Sequence, residues 1–263
     1  MKQSQLDTPM QTKCNIEAQR AKGIILAAGQ SKRLKPLIDD RPKCLLALNG
    51  ETILSYLINS LFKCGAAEVI VVVGYRRDQI VDYIERMEWK TVRTVENTIY
   101  SETDNAHSVA LALEYVNPQK DSCVILDGDI IFEISLLSEL LNSNHENILA
   151  ADNTTKIDVE DSKVLVEDCF VRAIGKDVNG NAIYTSLIRL GGRFLDRFKE
   201  EVQKPEYKET WYSKPLNTVF KSFPREVFAL LTNGRLRLDI DTYSEYLEAK
   251  EIFKTINGAE SSR

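Results

Sequence analysis

The sequence predicts an α/β protein with a mixed, mostly parallel sheet flanked by helices. Three observations predict it. Short apolar runs rich in β-branched residues stand at 23–28, 68–73 and 122–126, the pattern of strands buried on both faces. Segments with apolar residues at i, i+3 and i+4 lie between them, joined by short connections. From 162 onward the pattern turns to hairpin-like strands. Strand–helix alternation of this kind builds a parallel sheet wrapped by helices, with right-handed crossovers.

Taken in order, Gly23-Ile24-Ile25-Leu26-Ala27-Ala28 is the first strand and breaks at Gly29. Residues 52–64 carry Ile53, Leu54, Leu57, Ile58, Leu61 and Phe62 at helical spacing, and Gly65 is placed to end that helix. The strand at 68–73 stops at Gly74-Tyr75. Helices over 78–87 and 105–116 flank a strand over 91–96, and Pro118 follows the second helix. The strand at 122–126 runs into Asp127-Gly128-Asp129. Strands at 162–166 and 170–174 pair around Glu167-Asp168, and a third at 182–190 is entered from the turn Asn179-Gly180-Asn181. Helices are predicted over 194–202 and 211–220. Thr242-Tyr243-Ser244-Glu245 reads as a capping box opening a final helix that buries Leu247, Ile252 and Phe253. With no repeat and no linker between 22 and 256, one domain over 22–257 is expected. A flexible extension over 1–21, with a short helix near Ile16, and a tail over 258–263 flank it.

Composition narrows the function. The 263 residues are 43% hydrophobic and 28% charged, ordinary for a globular chain with ample core. Net charge is −5 with no basic cluster outside the loops discussed below, which disfavours a nucleic-acid partner. Residues 1–20 are polar and lack a secretory h-region, and no apolar run approaches the ~20 residues of a membrane span. Five scattered cysteines without a C-x-x-C pair point to free thiols, hence to a cytoplasmic location. Two histidines make a histidine-based zinc site unexpected. A homodimer is left open, with no apolar face to mark it.

The richest stretch is 22–50. After the first strand comes a loop with Gly29, Gln30, Ser31, Lys32 and Arg33, and Lys43 follows Pro42. Small residues let a backbone approach an anion, and loop N–H groups form a nest for it. Arg33 can grip phosphate oxygens bidentately and Lys43 adds a point charge. The loop therefore suits a nucleoside triphosphate. A Walker A loop would need Gly-Lys-Ser/Thr, and a dinucleotide fingerprint G-x-G-x-x-G; neither is present. Ligands of parallel sheets sit beyond the carboxyl ends of the strands, where Gly74, Glu96-Asn97 and Asp127-Gly128-Asp129 also fall. Asp127 and Asp129, two apart, can point to one side and offer carboxylate oxygen to Mg²⁺, or simply form a turn. Asp239 and Asp241 alternate in the same way, and Asp241 or Thr242 can equally serve as a helix N-cap.

Leu26-Ala27-Ala28-Gly29, Arg33-Leu34 and Pro42-Lys43 resemble the L-A-A-G-x-G-x-R-[LMF] … P-K signature of nucleotidyltransferases of the sugar-nucleotide pyrophosphorylase type, with Ser31 in place of the second glycine. Tyr100 to Ser108 resembles the Y-x-x-T-N-N-x-x-S segment of bacterial CTP:phosphocholine and phosphonate cytidylyltransferases. Thr103, Asn105 and Ser108 match there, and Asp104 departs from it. The run Asp158-Val159-Glu160-Asp161-Ser162-Lys163-Val164 and the later Ile174-Gly175-Lys176 are similar to the same group. The resemblance covers about 23–253. It implies a Rossmann-like, GT-A-like fold with an acceptor-side β extension. It also implies a Mg²⁺-dependent enzyme that transfers CMP from CTP to a small phosphonate or alcohol phosphate and releases pyrophosphate.

By that resemblance Arg33 and Lys43 are catalytic, and Asp129 and Asp241 hold the metal with Asp239 in support. Leu26, Ala27, Ala28, Gly29, Gln30, Ser31, Lys32, Gly74, Asn97, Thr103, Asn105, Ser108 and Asp127 bind the nucleotide. Lys163, Lys176, Trp211, Tyr212 and Lys214 face the acceptor. Ser213 and Lys214 stand where related enzymes carry an acidic pair, which predicts a non-cationic acceptor, reinforced by Arg189 and Arg193 if they point inward. The alternatives are a sugar-1-phosphate nucleotidylyltransferase using another NTP, a non-catalytic nucleotide-sensing or subunit-interaction relative, and an Asp-x-Asp glycosyltransferase. Loss of Arg33, Lys43, Asp129 or Asp241 would mark the non-catalytic relative, and all four are present.

Overall fold

The computed structural model describes residues 20–30, 32–34 and 40–260, with backbone only at Lys32 and beyond Lys254. β1 (Arg20–Ala27) is followed by a short antiparallel pair, β2 (Ala47–Leu48) and β3 (Glu51–Thr52). α1 (Ile53–Lys63) starts at Thr52, whose hydroxyl accepts from Ser55 N–H at 3.0 Å, and it ends before Gly65, which takes φ +99°. β4 (Glu68–Val73), α2 (Arg77–Arg86), β5 (Val92–Glu96), α3 (Asn105–Leu113) and β6 (Asp121–Asp127) follow. These match the predicted alternation, α3 ending three residues early.

Elements the hydrophobic pattern did not predict stand on either side of the predicted ones. They are β7 (Ile130–Phe132), α4 (Ile134–Asn142) and β8 (Asn147–Asp152). The hairpin β9 (Lys163–Glu167) and β10 (Phe170–Gly175) turns through Asp168 and Cys169, both at positive φ. β11 (Ala182–Leu190) occurs as predicted, α5 (Gly192–Val202) starts two residues early and α6 (Ser213–Ser222) lies two residues later than expected, while β12 (Val227–Leu231) and β13 (Arg237–Asp239) are further additions. α7 (Tyr243–Glu260) closes the described chain.

The main sheet runs β5-β4-β1-β6-β11-β8-β12-β10-β9. β5, β4, β1 and β6 are parallel neighbours, β11 is antiparallel to β6 and β8, and β9–β10 form the β extension. Alternation along the strands feeds two cores. Ile25, Val69 and Val71 face α1, α4 and α7, whereas Ile24, Ile70 and Val72 face α3, α5 and α6. The sheet is thus covered on both faces, and its carboxyl edge stays open for ligands.

Three expectations need correction. β1 begins at Arg20, inside the extension expected over 1–21, and α7 runs past 257 to Glu260. Leu247 is exposed rather than buried; Ala249 and Phe253 fill the α7 face instead. The helix expected near Ile16 lies outside the described residues. No described helix is long and apolar enough to cross a membrane.

Candidate active site

A cavity of about 620 Å³ opens over the carboxyl ends of β1 and β6. Its floor is made of charges. Pro42 fixes the entry to a 3-10 turn over Lys43–Leu45, and Lys43 is buried there with its side chain 7% exposed. The Lys43 Nζ lies 2.6 Å from Asp129 Oδ2 and 2.8 Å from Asp241 Oδ1. Burial alone would lower the pKa of this ammonium; the two carboxylates outweigh it and hold it above the usual lysine value. Asp241 is likewise pushed up by burial but pulled below the usual carboxylate range by Lys43 and Arg33. Arg33 reaches over the cavity, mostly exposed, and donates from Nη2 to Asp241 Oδ2 at 2.8 Å.

Asp127 and Asp239 behave differently. Burial, with Asp129 beside it, pushes the Asp127 carboxyl up to about 7, against a hydrogen bond from Ser186. Burial raises Asp239 to about 6, opposed by Arg237 and reinforced by Asp129 and Asp241. Asp241 is placed by the capping box predicted for α7. Glu245 accepts from the N–H groups of Asp241 and Thr242 at 2.8 and 2.7 Å, leaving the Asp241 carboxylate to the cavity.

Asn97 organises the next wall. It is buried and donates to the hydroxyls of Thr103 at 3.1 Å and Ser108 at 3.2 Å, and all three line the cavity. Asp104 caps α3 by accepting from Asn105 N–H, and Asn105 Oδ1 accepts from Tyr212 N–H at 2.9 Å. The stretch from Asn97 to Ser108 is thereby tied to the start of α6. Gly74 and Gly128 do not line the cavity; they permit close packing. A Cβ on Gly74 would sit 2.8 Å from Tyr100 Cβ, and one on Gly128 would sit 2.6 Å from Leu26 O.

At the far end, Lys176 Nζ lies 4.9 Å over the Trp211 ring and 3.1 Å from Glu160 Oε2. Trp211 is 38% exposed, and Tyr212 is buried with its hydroxyl 2.7 Å from that of Tyr184. β11 carries both Tyr184 and Ser186 into the cavity through a register shift, in which four steps along β11 match two along β8. Ser186 sits there at φ +59°, a conformation unusual for serine, and Thr185 donates to Ala150 O at 2.8 Å to hold the shift.

Of the predicted residues, Leu26, Ala28, Gly29, Arg33, Lys43, Asn97, Thr103, Asn105, Ser108, Asp127, Asp129, Lys176, Trp211, Tyr212, Asp239 and Asp241 line the cavity. Ser31 and the Lys32 side chain lie outside the described residues. Ala27 and Gln30 stay off the lining, Ala27 packed into the core. Lys163 pairs with Gly175 in the hairpin and does not line the cavity. Lys214 does not either: it is exposed and pairs with Asp177 at 3.3 Å, because the turn before α6 points Trp211 and Ser213 inward. Arg189 is buried against the carbonyls of Leu141, Ser143 and His145, and Arg193 pairs with Glu226, so neither biases the acceptor end. Sequence reasoning missed Tyr184, Ser186 and Arg237, which have no motif around them. The alternation of Arg237, Asp239 and Asp241 was the one signal available for the last.

The carboxylates fit a divalent ion. Oxygens of Asp129 and Asp241 converge on one cationic group, the Lys43 ammonium, from two sides. Two carboxylates can be enough for an ion such as Mg²⁺, which completes its shell with water and substrate phosphate; no cluster of three or more ligating side chains occurs among the described residues.

The MobA-like NTP transferase domain matches residues 23–175. The chain is similar to the choline-phosphate cytidylyltransferase of Streptococcus pneumoniae, 27% identical over 251 residues, covering 90% of this chain and all of that protein. It is also similar to the CTP:phosphoglutamine cytidylyltransferase of Campylobacter jejuni, 27% identical over 65% of this chain and 74% of the relative. Among solved structures, the inositol-1-phosphate CTP transferase from T. maritima shares the fold. The TM-score is 0.73 at 24% identity over 90% of this chain and 97% of that one.

Proposed function

Because the chain belongs to the family of MobA-like NTP transferase domains, and is therefore a nucleotidyltransferase, we propose that it transfers CMP from CTP to a small phosphorylated or phosphonate acceptor. The observation that carries this reading is the Lys43 ammonium held between Asp129 and Asp241 on the cavity floor, with Arg33 above it. The relatives' names support the choice of CTP and of a phosphorylated acceptor.

An acceptor oxyanion attacks the α-phosphorus of CTP. A P–O bond forms there as the bond to the β-phosphate bridge breaks, and pyrophosphate leaves with the electron pair. No protein nucleophile is needed, and burial pushes the thiols of Cys44 and Cys123 up to about 12, which keeps both out of the reaction. Arg33 and the amides around Gly29 hold the outer phosphates. Lys43 stands where charge grows on the α-phosphate, and a preorganised cation there lowers the barrier more than it tightens ground-state binding. Asp129 and Asp241 would hold Mg²⁺, with Asp239 beside them; the ion would supply charge neutralisation on the phosphoryl oxygens. The Asn97, Thr103 and Ser108 wall offers amide and hydroxyl groups to base or ribose.

The acceptor is a small phosphonate or alcohol phosphate. The non-cationic preference expected from Lys214 loses its support, since Lys214 lies outside the cavity. Glu160, Asp161 and Trp211 do line it, and the Lys176 ammonium already sits over the Trp211 ring and beside Glu160, where an acceptor's positive end would be equally well received. The test is a turnover panel of CTP, UTP, GTP and dTTP with Mg²⁺, pyrophosphate detection, and choline phosphate, 2-aminoethylphosphonate, a carboxy-phosphonate and glucose 1-phosphate as acceptors. CTP with a phosphonate or alcohol phosphate is the expected pair. Faster turnover with another NTP and the sugar phosphate would select the sugar-nucleotide alternative.

A further inference from the structure

We propose that Arg237 is a ligand of the acceptor's phosphoryl or phosphonyl group, an assignment that rests on the nucleotidyl-transfer reading above. Arg237 opens β13, and alternation along the chain brings Arg237, Asp239 and Asp241 to the same cavity. Its side chain is largely buried, 13% exposed. One arm of the guanidinium, Nη2, is engaged by Asp239. Asp239 is its one hydrogen-bonded partner among the described residues, and Nε is buried without any. A buried donor left unmatched is costly, and a guanidinium retains further donors in a planar fork that fits phosphoryl oxygens.

The charge balance of the cavity calls for such a group. An acceptor phosphate or phosphonate must bring its negative oxygens to a floor that carries Asp127, Asp129, Asp239 and Asp241. The cations already known there, Lys43 and Arg33, are bound to Asp129 and Asp241 and are committed to the nucleotide in the reaction. Lys176 stands at the opposite side, paired with Glu160. Lys43, Arg33 and the metal that Asp129 and Asp241 would hold serve the nucleotide's phosphates, and Arg237 adds a further cation beside Asp239 that eases the approach of the attacking oxyanion. The competing explanation is that Arg237 merely neutralises Asp239.

The experiment uses methylphosphonate, which carries the group common to the expected acceptors and nothing else. Its binding is followed by tryptophan fluorescence, with Trp211 at the cavity as reporter, with Mg²⁺ and α,β-methylene-CTP present and again without them. Binding of the CTP analogue is measured separately, so failure of the nucleotidyl-transfer reading shows there and not in the methylphosphonate titration. In Arg237→Met the methylphosphonate dissociation constant should rise roughly tenfold or more, the scale of a lost charge-assisted pair, with analogue binding unchanged. Arg237→Lys keeps the charge and the bulk, so it reports even where the methionine variant folds poorly; it should recover part of the affinity. The double variant Arg237→Met/Asp239→Asn removes the pair together and should bind as weakly as Arg237→Met. Absence of saturable binding to the wild type, equal binding by Arg237→Met, or recovery in the double variant would each overturn the assignment.

Discussion

At the nucleotide end, Gly29, Arg33 and Lys43 come from one short stretch that follows a single buried strand. At the end proposed for the acceptor, Glu160, Lys176, Tyr184 and Trp211 come from four separate places, on loops, a strand end, β11 and the approach to α6. A parallel strand must release its chain at the carboxyl edge, so a loop there is aimed at the ligand by backbone geometry alone. An antiparallel extension carries no such rule. Its side chains are aimed by ties across the fold, such as Asn105 to Tyr212 and the paired bonds of Asn217 with Ile174 N–H and C=O at 2.9 and 2.8 Å. Chemistry is therefore expected to concentrate at the first end and selectivity at the second.

The sharpest way to break that division is Lys43→Ala. Turnover should fall by about 10²–10³, the scale of removing one preorganised charge-stabilising group, while CTP affinity changes only a few-fold. Single-turnover kinetics beside equilibrium CTP binding would separate the two. Equal losses in both would make Lys43 a binding residue only.

The frame under the acceptor end is tested by Asp152. It sits at the end of β8, where hydrogen bonds from Thr154, Thr155 and Thr232 overcome burial and lower its pKa to about 2. A depressed carboxylate contributes stability above its unfolded value, and the contribution drains away as pH falls through the folded one. Asp152→Asn should thus lose about 1 kcal/mol in urea unfolding at pH 7, the charge contribution being reduced by solvent screening. The gap to wild type should close between about pH 4 and pH 2, with CTP KM unaffected. A gap that persists at pH 2 would place the loss in packing rather than charge.

Trp211→Ala should raise the acceptor KM about tenfold and leave CTP KM alone, with Trp211→Phe in between. A matching rise for CTP would show that the two ends are not separable. The smallest effect is expected for Thr103→Val, which removes the hydroxyl accepting from Asn97. Loss of about 1 kcal/mol should appear as a few-fold higher CTP KM, with acceptor KM unchanged in initial-rate kinetics.

The same contrast explains what could be read from the chain beforehand. Residues 23–28 and 68–73 are legible as strands because their apolar, β-branched runs are too short for a helix, and Lys43 is legible because the stretch from Leu26 to Lys43 resembles a family signature. β8 begins Asn-Ile-Leu-Ala-Ala, and alanine favours helix, so pairing with β11 and β12 decides its state. Lys214 was misplaced for a different reason. It was assigned by resemblance to a segment with an acidic pair, which does not say which of residues 213 and 214 turns inward; α6 starts two residues later than expected, and Ser213 rather than Lys214 lines the cavity. Tyr184 and Ser186 sit in a strand read correctly, yet the register shift that aims them leaves no mark that composition reveals.

That shift in β11 bears on how the acceptor end could be exchanged. Tyr184 meets Tyr212 and Ser186 meets the Asp127 carboxylate, so on the proposed reading one strand spans both halves of the reaction. The two additional residues preserve the in–out parity on either side of the shift. A graft that removed one of them would reverse which face every following side chain meets, from Leu187 through Leu190. A transplanted acceptor module would therefore have to end before Tyr184, carry the strand through Leu190, or keep both additional residues at its junction.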